Sequence, residues 1–145
     1  LIIIGILLLL FVGIQLIPVS RENPPVRLEV RWDSPQTREL AKRACFDCHS
    51  NETHWTWYSN IAPVSWLVSR DVREGRQHLN FSEWDKPQRN AGEAAEVVQK
   101  GEMPLRTYQI THPRARLTTQ ERQALAQSFQ KMFGSSGEGT EEGED

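Results

Sequence analysis

Cys45-Phe46-Asp47-Cys48-His49 sets two thiols three residues apart, with an imidazole immediately after them. On a helix, residues three apart are neighbours on one face. Both sulfurs can therefore reach two carbon centres on one edge of a flat ligand, and the imidazole can turn beneath a metal at its centre. This C-x-x-C-H spacing is the attachment pattern of a c-type haem. Cys45 and Cys48 would form thioethers with the two vinyl groups, and His49 would bind the iron. A zinc site needs a second pair of ligands, but the chain has only two cysteines and its other histidines are scattered. A thioredoxin-like redox pair needs a surrounding βαβ pattern, which is missing.

One imidazole leaves the opposite axial position of the iron to be filled. Met103 lies in Gly101-Glu102-Met103-Pro104, a loop after a helix stop, where a thioether can point inward beside a stiff proline. It is the leading candidate. Met132 repeats at helical spacing with Leu125 and Phe129 and reads as core. His54 follows His49 too closely to reach the other face easily, while His78 and His112 read as surface or capping residues. An open or water-bound iron is the remaining alternative.

These groups have to be positioned by a chain of 145 residues, the length of one domain with extras. Residues 1–19 hold 15 of the 55 apolar side chains, and residues 134–145 hold none. Residues 26–133 keep 40 apolar side chains among 108 positions, or 43 with their glycines. That share of about 40% lies below the ~45–50% of ordinary domains. A covalent porphyrin would supply the missing core. Seventeen basic against 19 acidic residues give a net charge of −2, and the acidic tail accounts for five of the acids. So small a balance excludes a nucleic-acid binder driven by bulk charge.

Residues 1–19 carry no charge and would span ~28 Å as one helix, enough to cross a bilayer. No small-residue cleavage site follows, so the segment reads as a retained transmembrane anchor rather than a signal peptide. Residues 20–25 form a linker. From 26 to 32 the pattern alternates with period two and predicts an extended arm laid over the domain. Ser34-Pro35 opens a helix running to about Cys48. A second starts at Pro63 and runs to about Leu79, and a third covers 86–101, stopped by Gly101. Thr118-Thr119-Gln120-Glu121 is a capping box, starting a last helix whose buried stripe is Leu125, Phe129, Met132 and Phe133. The haem domain is thus 26–133, followed by a disordered acidic tail at 134–145.

The order of these parts resembles class I cytochrome c: a helix ending in C-x-x-C-H, a long loop and helices, a Met-Pro loop, and a final helix opening L-T-x-x-E. More narrowly, ACFDCHSNETHWTWYSNIAPVSWLVSRDVREGRQHLNFSEW followed by GEMP resembles a bacterial family of small haem-binding-domain proteins. Thr56 and Leu105 stand where proline is expected in relatives. The resemblance implies an all-α cytochrome c-like domain around one covalent haem c, with Met103 as sixth ligand. It also implies that a proline carbonyl a dozen or so residues after the histidine accepts the imidazole N–H, the place held by Pro63. Trp57 and Tyr58 are the expected aromatic lining of the pocket.

The function expected is single-electron transfer between membrane redox partners, alone or as a subunit of a respiratory or photosynthetic complex, and not enzymatic catalysis. His–Met ligation raises the potential and leaves no site for substrate. A haem sensor or peroxidase-like protein with a labile sixth ligand is the alternative, and a structural haem a third reading. Arg70, Arg73 and Arg76, with Arg38, Lys42 and Arg43, form either a solvated face or a docking rim for an acidic partner. Covalent haem is installed outside the cytoplasmic membrane, so the domain is expected on the periplasmic side.

Overall fold

A computed structural model describes residues 1–134, and the secondary structure among them is helical. The helices are α1 (Ile2–Ile14), α2 (Pro35–Ala44), α3 (Phe46–His49), α4 (Val64–His78), α5 (Ala94–Gln99), α6 (Arg106–Thr111) and α7 (Thr119–Phe133). Short 3-10 turns cover Trp57–Asn60, Ala91–Glu93 and Pro113–Ala115. Of the acidic tail expected at 134–145, all but Gly134 lies outside the described residues.

The apolar start does not form one 19-residue helix. α1 ends at Ile14 and spans ~20 Å at 1.5 Å per residue. No helix among the described residues is long and apolar enough to cross a membrane. Two features stop it. Pro18 has no amide to continue the ladder and disfavours helix at the residue before it. Gln15, the sole polar side chain in residues 1–19, turns onto the domain: its Nε2 donates to the Ala62 carbonyl at 3.2 Å, and its Oε1 accepts from the Ala62 N–H at 2.9 Å.

Ser34 caps α2 as its sequence implies, its Oγ accepting from the Thr37 N–H at 3.1 Å. The helix expected to continue to Cys48 breaks at Cys45 (φ −128°, ψ −31°), and α3 restarts as a single turn carrying the C-x-x-C-H residues. The helix expected over 86–101 is shorter. Pro87 biases Lys86 away from helical geometry, and Gln88 donates to the Glu83 and Lys86 carbonyls while accepting from the Asn80 N–H. Those bonds hold the stretch as a loop, and regular helix begins only at Ala94. The Thr118 capping box forms both of its bonds.

The core lies where α2, α5 and α7 meet, with Phe81, Leu125, Phe129 and Phe133 fully buried and Met132 packed against them. The arm at 26–32 is extended, as its alternation implies. Its Val30 N–H donates to the Phe81 carbonyl at 2.9 Å, and its Leu28 carbonyl accepts from the Trp84 N–H at 2.8 Å. α4 crosses α3 so closely that Gly75 meets the C-x-x-C-H turn. A Cβ there would press into the Cys48 carbonyl and stand 3.0 Å from the Cys48 Cβ. Gly75→Ala should therefore cost about 1–3 kcal/mol, as overpacking does. Gly92→Ala, whose Cβ meets nothing, should leave Tm within a degree or so of the parent. Thermal melts of the two variants check this.

Candidate functional site

Each functional side chain owes its position to a local feature of the chain. Cys45 closes α2 and opens α3, so Cys48 and His49 follow on the next turn. The imidazole is fixed by the residue that follows α4. His49 Nδ1 lies 2.9 Å from the Leu79 carbonyl. A carbonyl only accepts, so Nδ1 carries the hydrogen and Nε2 keeps its lone pair. The His49 carbonyl in turn accepts from the Phe81 N–H at 2.8 Å. Burial pushes the imidazole pKa down and so favours the neutral ring, outweighing the Leu79 carbonyl, which pulls the other way. A neutral ring with a free Nε2 is the form that binds a metal.

Met103 is delivered by the end of α5. Gly101 takes φ +76°, its N–H donates to the Val98 carbonyl at 3.1 Å, and the Glu102 N–H donates to the Val97 carbonyl at 3.0 Å. This pair of bonds is the Schellman motif, in which glycine supplies the left-handed residue. The Met103 N–H follows onto the same Val97 carbonyl at 3.2 Å, so the chain reverses directly at the methionine. Arg122 of α7 braces the turn by donating to the Val98 carbonyl.

Cys45, Cys48, His49 and Met103 all line one cavity of about 510 Å³, within the ~300–1,000 Å³ of cofactor pockets. Its walls are mainly apolar: Leu79 and Phe81, Val97 and Val98, Phe129, and Pro104 beside the methionine. Arg70, Asp71, Glu74, His78, Asn90 and Glu93 add a polar edge. Both cysteines are free thiols. Burial raises each to about 12, with Asp47 and Asp71 adding to the effect at Cys48. Among the described residues, no three His, Cys, Asp or Glu side chains converge as a metal-ion site.

Residues 9–131 match a known family, the haem-binding domain. The chain belongs to the haem-binding domain family. No curated protein and no solved structure matches it. The cavity suits a haem: its walls are apolar, one edge is polar, and a neutral histidine and a thioether share the lining. His49 and Met103 are the residues that could bind iron, and Cys45 and Cys48 those that could bond to the porphyrin edge. Bound there, haem supplies a one-electron couple.

Three residues expected in the pocket are elsewhere. Pro63 is not on the lining. Its carbonyl accepts from the Trp66 N–H at 3.1 Å, so it starts α4, and Leu79 takes the role of imidazole acceptor. Trp57 is 75% exposed. Tyr58 stops one residue short of the cavity, its hydroxyl 3.1 Å from His112 Nε2, and His112 in turn stacks on Tyr108 at 4.0 Å. Tyr108 is the tyrosine on the lining, held by a 2.7 Å bond to Asp47 Oδ2. Neither Tyr108 nor Leu79 announces its part in the sequence, because each depends on where a helix lands. His78 reaches the polar edge, whereas His54, His112 and Met132 do not line the cavity.

The basic residues divide as well. Arg76 is spent inside the fold, donating to the Ser50 and Glu22 carbonyls, Asn23 Oδ1 and Thr53 Oγ1. Arg38 pairs with Glu29 and Arg43 with Glu121, both at 2.7 Å. Those three are not a free docking rim.

The half-buried thiols give a pH signature. Their folded pKa lies above the unfolded one, so the stability they contribute is complete below pH ~9. It is lost as pH climbs towards about 12. Haem-free chain should react with iodoacetamide more slowly at pH 8 while folded than in urea, because fewer of its thiols are ionised, and should unfold more easily between pH 9 and 12. Thiol alkylation and urea midpoints against pH check both.

Proposed function

We propose that this haem-binding protein is a class I-like c-type cytochrome. One haem is held covalently by Cys45 and Cys48, with His49 and Met103 as axial ligands, and single electrons pass between redox partners at a membrane. The observation that carries this reading is the meeting of Cys45, Cys48, His49 and Met103 on one apolar cavity. Burial that suppresses a thiolate costs a thioether nothing, so the inert environment of the two sulfurs favours permanent attachment. A histidine oriented by a main-chain carbonyl is a basic, well-aimed ligand. A methionine held by a Schellman turn and followed by proline is restrained from leaving. Two fixed axial ligands keep reorganisation small when an electron moves and leave no position for substrate, which supports a relay over an enzyme.

The apolar residues of α1, all but one of them well exposed, support association with a membrane. The partners are a quinol-oxidising donor and a terminal acceptor, or neighbouring subunits of a larger electron-transfer complex. Since covalent haem is attached outside the cytoplasmic membrane, the haem domain belongs on the periplasmic face.

Reversible voltammetry of the haem-loaded chain tests this function. A single one-electron wave is expected, and Met103→His should move it to lower potential while keeping the haem low-spin, because methionine raises the potential relative to a second histidine. A wave unmoved by that substitution would take Met103 off the iron.

A further inference from the structure

The first apolar helix is fastened to the domain instead of trailing from it. Gln15 exchanges two hydrogen bonds with the main chain of Ala62, and its Nε2 also donates to the Phe11 carbonyl at 2.9 Å. The amide is thus satisfied wholly by protein. Residues 20–23 are then pinned along the domain: Ser20 through its carbonyl to Ser69, Glu22 through its carbonyl to Arg76, and Asn23 through its side chain to Arg76, Trp55 and the Thr53 carbonyl. The point where α1 leaves the domain is fixed at Ala62.

Around that point the surface is apolar. Trp57 is 75% exposed, Leu67 52%, Val64 40% and Ile61 39%. All four lie within eleven residues of chain bracketing Ala62, and Ile61, Val64 and Leu67 follow at three-residue spacing. α1 itself is apolar around its whole circumference, which suits a surrounding apolar solvent better than one protein groove. A polar amide entering hydrocarbon must find its partners within the protein, as Gln15 does. Indole rings collect where lipid meets water, and Trp57 is an exposed indole on this surface. Arg21, the first charge after twenty uncharged residues, marks the return to a polar medium.

We infer that residues 57–67 seat the haem domain on a lipid bilayer, with Trp57 and Leu67 in the headgroup layer and α1 entering the lipid at Gln15. The domain then keeps one orientation to the membrane instead of swinging on a tether, and the remaining faces are presented to redox partners. This rests on the membrane association proposed above.

The test is photo-crosslinking of the haem-loaded full chain in vesicles of phosphatidylcholine and phosphatidylglycerol doped with a phospholipid carrying a diazirine near its headgroup. Crosslinked peptides are read by mass spectrometry. Crosslinks are expected in α1 and again in 57–67. In the double variant Trp57→Glu, Leu67→Glu, those in 57–67 should fall about tenfold, the factor equivalent to about 1.4 kcal/mol of seating energy, while those in α1 persist. Both positions are exposed, and an unchanged haem spectrum reports that the variant is folded. Crosslinks confined to α1, or spread evenly over the domain, would overturn the seating and leave membrane association standing, with 57–67 then free for water or a protein partner. Absence of crosslinks even in α1 would overturn both.

Discussion

A half-buried histidine that gives its Nδ1 hydrogen to a main-chain carbonyl has one nitrogen left to offer, and here that constraint organises the helices around it. His49 stands on a four-residue helix too short to hold itself. Its ring is fixed by the Leu79 carbonyl just beyond the end of α4, so α4 must lie flush against the C-x-x-C-H turn. That closeness requires Gly75, the residue with no side chain to place between them. The chain after α4 must also run back past the histidine, where Phe81 bonds the His49 carbonyl and carries its ring into the core. Weakening the imidazole bond would loosen the tautomer, the α3–α4 contact and the course of the Phe81 segment together.

Much of this was legible in the sequence, and the reasons are local ones. Ser34, Gly101 and the Thr118 box act through bonds to residues within four or five positions, so their side chains announce them. Cys45, Cys48 and His49 declare themselves by spacing. The place of Met103 on the cavity is readable because a glycine stop and a proline bracket it. The errors have a common origin in tertiary contacts. Pro63 is followed by a helix, as proline often is, and nothing in its neighbourhood says that the carbonyl facing His49 belongs to Leu79, thirty residues away. The aromatic run at 55–58 looks like pocket lining by composition. Its tyrosine is instead one partner short of the cavity, while Tyr108 arrives there through Asp47. The helix expected from residue 86 gives way to the side chain of Gln88, whose partners no periodicity reveals.

The thin apolar composition and the cavity describe one fact from two sides. The chain spends its few large apolar residues on a core between α2, α5 and α7 and leaves about 510 Å³ bounded by them for its cofactor. An apolar ligand seated there would cover wall side chains that otherwise face water, and that burial is favourable. Bound haem would then add to the core as well as occupy the site. Three of the arginines that could have advertised a partner surface, Arg38, Arg43 and Arg76, instead hold the arm, α7 and the linker in place around that site.

The central claim is a haem with both axial positions filled by His49 and Met103, and absorption spectroscopy tests it most directly. Spectra of the purified protein, oxidised and reduced, are recorded with and without carbon monoxide. Low-spin bands are expected in both states, with the weak red charge-transfer band of a methionine–iron bond in the oxidised form and no response to carbon monoxide. A high-spin spectrum, or ready binding of carbon monoxide, would contradict it and identify a haem whose sixth position is open to ligands.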